Sequence, residues 1–171
     1  MVFSYYNRLK PVQKRIYRKS DAIHAVPLPN AADLHHLIPP LVLALKEGDV
    51  ARTEDLCGKL ATGIASGLKA PPVRVKVLAA RPSADWGELH GLYVPAEGQA
   101  AALITVWMRT AQRRQVVAFR SFVRTLLHEI CHHLDYELFM LEESYHTDGF
   151  YKRESSLFHQ LTVQIEKQNS F

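Results

Sequence analysis

With 171 residues, 47% of them hydrophobic and 22% charged, the chain is long enough for one ordinary core, or a core with a helical appendage, and its composition excludes a disordered or fibrous polypeptide. Residues 38–45 are apolar throughout but contain Pro39 and Pro40, and the stretch is far too short to span a bilayer. The net charge of +4 is concentrated at one end: Arg8, Lys10, Lys14, Arg15, Arg18 and Lys19 occur within residues 1–19 without a single acid, whereas acids slightly outnumber bases in the remainder.

Such a cluster can mark a nucleic-acid or acidic-partner surface, here residues 8–19. A solvated helix face is the plainer and preferred reading. A second basic stretch, Arg109, Arg113, Arg114, Arg120 and Arg124, follows later. The opening MVFSYYNRLKPVQKR lacks the apolar run and small-residue cleavage site of a secretory signal, so a cytoplasmic location is expected. Two cysteines, Cys57 and Cys131, make no disulfide framework, in keeping with a reducing compartment.

Along the chain, Pro11 is placed to open a short helix with Val12 and Ile16 on its apolar side. Residues 25–30, AVPLPN, read as an extended linker, because each proline restricts its predecessor. Asn30 can cap a helix reaching Leu37, and Pro39-Pro40 start another that ends at Gly48. Leu56, Leu60, Ile64 and Leu68 repeat every four residues, predicting a further helix before Pro71-Pro72. The period then becomes two in Val73-Arg74-Val75-Lys76-Val77, as on a half-buried strand. Residues 89–94 and 103–108 predict two more strands, separated by the turn-like PAEGQ. From Val116 the helical period returns, with Phe119, Val123, Leu126, Leu127, Ile130 and Leu134 on one stripe. A loop near residues 145–149 precedes a last helix carrying Phe150, Leu157, Phe158, Leu161 and Ile165. Helices, a small strand meander and two helices make an α+β layout. Residues 1–70 form a basic, helical segment and residues 71–171 the domain that carries the chemistry.

That chemistry is expected at Leu127-His128-Glu129-Ile130-Cys131-His132-His133. Residues four apart lie one above the other on a helix, so His128 and His132 project side by side and can hold one zinc ion. Glu129 can reach a water bound there, the arrangement of an HExxH metallohydrolase. Catalytic zinc keeps three protein ligands and leaves a fourth position for water. The third ligand must lie downstream. His146, in the loop before the last helix, is the first choice, and Glu154 on that helix is the alternative. The spacing HExxHxxGxxH is not met, since Asp135 and Leu138 stand where it needs glycine and histidine. Glu142 and Glu143 read as a solvated tail of the motif helix.

The segments TLLHEICHHLD and SYHTDGFYKRESSL resemble the SprT-like zinc metallopeptidases. Thr125, Leu126, His128, Glu129 and His132 match that family's helix, and His146 with Phe150 matches its second element, a histidine ligand followed four positions later by an aromatic residue. Gly91-Leu92-Tyr93 and residues 104–108 look like its small sheet, so the likeness covers about residues 72–162. The resemblance implies a zincin-like fold with a small antiparallel or mixed sheet, one Zn²⁺ per chain and a polypeptide substrate.

Around this centre, Asp135 is placed to steady a ligand imidazole, and Tyr145 or Tyr151 to stabilise an oxyanion. A solvated acid and packed aromatics are the plainer alternatives. His133 reads as a surface residue or a support to the ligands, and Cys131 as buried rather than a fourth ligand. His24, His35, His36, His90 and His159 show no ligand spacing. The expected reaction is hydrolysis of a peptide bond with Glu129 as general base, the substrate lying along the strand of residues 103–108. The competing expectation is a non-catalytic zinc-binding module that engages nucleic acid or a partner through its basic segment.

Overall fold

The computed structural model, which describes residues 2–84, 87–111 and 113–168, has an α+β architecture: a helical first part, a three-stranded mixed sheet and two long helices. A 3-10 turn (Ser4–Arg8) precedes helix α1 (Pro11–Asp21), which carries proline in its first turn, where a missing N–H costs nothing. The buried positions of α1 are Ile16, Tyr17 and Ser20, whereas Val12, expected beside Ile16, is 52% exposed. Gln13, Ile16, Tyr17 and Ser20 form the i, i+3, i+4, i+7 face, and Val12 lies one position off it.

Helix α2 (Ala31–Leu34) passes through a 3-10 turn (His35–Leu37) into α3 (Ile38–Glu47), whose first turn accommodates Pro39 and Pro40. Gly48, at φ +71°, ends α3 in the left-handed conformation that glycine adopts without strain. Asp49 then caps α4 (Val50–Leu68) by accepting the Arg52 amide at 3.0 Å. Asn30 does not cap α2. Its Nδ2 donates to the Gly63 carbonyl at 3.0 Å, because α2 lies directly on α4, where Gly63 and Gly67 leave room for Leu34 and Asn30.

Strand β1 (Arg74–Ala80) is followed by a two-residue hairpin pair, β2 (Ser83–Ala84) and β3 (Gly87–Glu88), and by β4 (Gly91–Val94) and β5 (Leu103–Arg109). The main sheet has the order β1-β5-β4. β5 runs parallel to β1, with Val77 opposite Val106, and antiparallel to β4, with Tyr93 opposite Ile104. The strand expected to receive the substrate is therefore central, with a partner on both sides. Its unbroken run of buried residues is what a strand covered on both faces requires. The edges are β1, whose Val77 amide donates to Glu54 of α4 at 2.8 Å, and β4, whose burial alternates.

Helix α5 (Phe119–Glu137) lies across β4 and β5, and α6 (Asp148–Gln168) packs on α5 and α1. Val116, read as the start of α5, is bridged to Arg109 before the helix begins. The helix also ends earlier than expected, so Glu142 and Glu143 lie in the connecting loop rather than on a helical tail. One cluster of buried side chains joins Val26, Leu41 and Ile64 of the first part to Ile104, Leu126 and Phe158 of the second. Each such large aliphatic or aromatic side chain contributes about 1.5–3 kcal/mol. The described residues up to 70 thus pack on the rest, and α5 is held between the sheet and α6. The side chain of Ile165 lies outside the described residues. No described helix is long and apolar enough to cross a membrane.

Candidate metal centre

The middle of α5 presents His128 and His132 on one face, one turn apart, and the loop before α6 brings His146 against them. The Nε2 atom of His146 lies 3.0 Å from His128 Nε2 and 3.1 Å from His132 Nε2. These three histidines lie close enough together to bind a metal ion. Nitrogens bound to zinc at tetrahedral angles stand roughly 3.3 Å apart, close to both of these separations. Phe150, fully buried, packs against all three imidazoles at ring-centroid distances of 4.8, 4.8 and 5.2 Å.

The outer nitrogens fix the tautomers. His132 Nδ1 is 2.7 Å from Ser144 Oγ, and that hydroxyl donates to Asp135 Oδ2 at 2.7 Å. Ser144 must then accept from His132, which puts the proton on Nδ1 and frees the lone pair on Nε2. His128 Nδ1 lies 3.3 Å from Glu154 Oε2, and a carboxylate only accepts, so the same tautomer follows. Carboxylates behind histidine ligands orient the ring and raise its basicity. Two lone pairs therefore point at a third imidazole at contact distance, an arrangement that a cation or a shared proton relieves. Burial, then the neighbouring His128 and His146, push His132 down to about 3, and burial with His128 lowers His146. Both rings are neutral near pH 7, as metal ligands must be.

Glu154 thus sits behind His128, with Arg124 bonded to its other oxygen at 3.1 Å, and is not among the three converging ligands. Asp135 is fully buried rather than solvated, and it reaches His132 through Ser144. Its second oxygen accepts from Arg153 Nη2 at 2.7 Å. The sequence reading does not include Arg153, which is also fully buried and occupies the apolar stripe of α6 between Phe150 and Leu157. A charge on such a stripe was the legible signal. Ser144 offered no comparable one.

Glu129 is 6% exposed and lines the same cleft as the three histidines, a cavity of about 650 Å³ between α5 and β4. Burial pushes its carboxyl up to about 7, opposed by His128. Gly91 of β4 lies directly over it, close enough that a Cβ there would come within 2.4 Å of Glu129 Oε1. Tyr93, Tyr136 and Pro95 line one part of the cleft, and His90 and Arg124 also line it, with His90 outside the group of converging histidines. His133 is buried, not a surface residue: its Nε2 bonds the Pro71 carbonyl at 2.8 Å and its Nδ1 the Tyr93 hydroxyl at 3.1 Å.

Tyr145 gives its hydroxyl to Glu143 and stacks its ring in an aromatic cluster with Tyr5 and Tyr17. It does not line the cleft. Tyr151 remains beside the centre, with its ring 6.0 Å from those of His128 and His146. Cys131 is buried and its thiol is pushed up by burial. On α1, Arg15, Arg18 and Lys19 are exposed, and Lys14 and Arg18 hold their charges over the Tyr6 ring at 5.3 and 5.9 Å.

No protein-family model matches the chain, and no curated protein or solved structure matches it.

Proposed function

We propose that the protein is a zinc-dependent metallopeptidase with a zincin-like, SprT-like catalytic unit, in which His128, His132 and His146 hold one Zn²⁺ and Glu129 is the general base. The observation that carries this reading is the Glu129 carboxylate, buried beside three converging Nε2 atoms in a cleft that an edge strand lines. A purely structural zinc site has no use for such a base. Zinc, when bound, makes a water acidic enough to attack at neutral pH and polarises the scissile carbonyl. Glu129 takes the proton of the attacking water and passes it to the leaving amine. Its raised pKa, near the working pH, suits a group that must both accept and release a proton. A zinc dication would pull that value down again while leaving the carboxylate competent.

An extended polypeptide would bind along β4, whose outer edge carries no strand partner among the described residues, and add its backbone to the sheet. The scissile bond would then lie in the cleft beside Gly91, within reach of Glu129 and the histidines that line it.

The deciding experiment is Glu129→Gln, assayed on unfolded polypeptides together with zinc content. The substitution keeps size and hydrogen bonding but removes basicity, and loss of a general base costs about 10²–10⁴ in rate. Zinc occupancy should be unchanged. A zinc-loaded Glu129→Gln protein that cleaves as fast as the wild type ends the catalytic assignment and leaves the metal-binding module.

A further inference from the structure

The loop that carries His146 and the start of α6 are held from outside by the first part of the chain, through at least five hydrogen bonds. The Tyr5 hydroxyl donates to the carbonyl of His146 itself at 2.8 Å. Asp21 Oδ1 accepts the Gly149 amide at 3.0 Å, at the first turn of α6, where a carboxylate also meets the positive end of the helix. Arg153 donates to the Ser20 and Ile23 carbonyls at 2.6 and 2.8 Å while its other nitrogen holds Asp135. Gln13 Nε2 reaches Glu143 at 3.4 Å.

The attachment is close as well as polar. A Cβ at Gly149 would come within 2.4 Å of the Asp21 carbonyl oxygen, so glycine is what allows α6 to start against the end of α1. The Tyr5 ring stacks on Tyr145, one residue before His146, and Phe3 packs on Tyr151, with centroids 6.4 and 6.0 Å apart. Tyr17 is buried beneath this cluster and accepts the Phe3 amide at 3.3 Å. Thr147, next to His146, is itself buried and caps α6 by accepting the Phe150 amide at 2.9 Å.

The three ligands therefore differ in what fixes them. His128 and His132 stand on a helix whose own hydrogen bonds and core contacts set their positions. His146 stands on a loop, nine residues past the end of α5 and two before α6, and loops hold a side chain only as well as their attachments do. We propose that Tyr5 and Asp21 are positioning residues for the third ligand, so that the metal centre extends into the N-terminal part of the chain. The inference rests on the three-histidine site described above. It assigns to the basic N-terminal region a role that its charge pattern does not indicate, and makes the two parts of the chain one functional unit.

The test uses the full chain and cobalt or zinc alone as probe. Tyr5→Phe removes the hydroxyl that donates to His146 while keeping the ring, and Asp21→Ala removes the carboxylate that accepts from Gly149. Loss of groups that orient a ligand typically weakens metal binding about 10–100-fold, and the double variant should fall in that range. The visible spectrum of the Co²⁺ form should lose intensity as the third nitrogen drops out of a four-coordinate sphere. Tyr6→Phe is the control, since its hydroxyl bonds Arg18 rather than the loop, and it should bind as the wild type does. A merely structural role predicts the reverse: lowered melting temperature in all three variants with metal affinity and spectrum unchanged, which overturns the proposal. In a His146→Ala background, Tyr5→Phe should have no further effect on metal affinity, whereas an additive loss places its action elsewhere. Should the wild type bind neither metal, the histidine site itself is refuted, an outcome distinct from normal binding by the Tyr5 and Asp21 variants.

Discussion

Gly91→Ala probes the carboxylate of Glu129, the proposed general base, without replacing a titratable group or a proposed metal ligand. A Cβ at Gly91 would lie 2.4 Å from Glu129 Oε1, 2.8 Å from its Cγ and 2.9 Å from its Cδ, against 3.4 Å for an ordinary contact. The side chain cannot simply swing aside, because three of its atoms are approached at once and the residue is 6% exposed between α5 and β4. Relief requires the carboxylate to move by about 1 Å, a misplacement that costs about 10² in rate where a proton must be transferred. The overpacking itself costs about 1–3 kcal/mol of stability. The assay is kcat/KM on an unfolded polypeptide, with zinc content and thermal melting measured on the same preparation. We expect a roughly hundredfold loss with zinc retained, and no further loss when Gly91→Ala is added to Glu129→Gln, because both act on one carboxylate. Wild-type turnover in Gly91→Ala, or additive losses in the double variant, would refute the placement of Glu129 against β4 as the working geometry.

Ser144→Ala breaks the path from His132 to Asp135 and should weaken zinc binding about 10–100-fold, read by competition with a chelator. Arg153→Ala leaves the buried Asp135 charge unpaired and should cost about 3–5 kcal/mol in denaturant unfolding, with little rescue by Arg153→Lys, whose ammonium cannot serve Ser20, Ile23 and Asp135 in one plane. In the metal-free protein two titrations oppose each other. His132, held at about 3 instead of 6.5, makes stability fall on acidification through that window, because the unfolded chain takes up a proton that the folded one refuses. Glu129, raised from 4.5 to about 7, does the opposite, its proton favouring the folded state as pH falls from about 7 to 4.5. Removing the second term in Glu129→Gln should therefore steepen the loss of stability between pH 7 and 4.5, and an unchanged pH profile by denaturant melts would contradict the buried placement of these groups.

The motif helix was legible because its information is local. His128, Glu129 and His132 lie within one turn and a half of α5, so helical geometry alone brings the two imidazoles together. The α+β order, the break at Pro39-Pro40 and the stop at Gly48 were legible for the same reason, since each depends on the backbone preferences of a few neighbouring residues. The choice between His146 and Glu154 was not settled that way. Both are within reach of the motif along the chain, and only the packing of α6 on α5 sets Glu154 behind His128 and brings His146 to the front.

Strand order was hidden for a related reason. A run of apolar residues says that β5 is buried, but which strands flank it depends on contacts across the sheet, and those make β4 the edge beside the cleft. What lies furthest from local sequence is the support of the centre: Ser144 relaying His132 to Asp135, Arg153 tying Asp135 to the end of α1, and Tyr5 bonded to His146 across 141 residues. Serine, arginine and tyrosine are common and versatile, and no spacing marks them. Their partners are fixed only when the helices dock, because a buried donor or acceptor must find whatever complementary group the packed core presents.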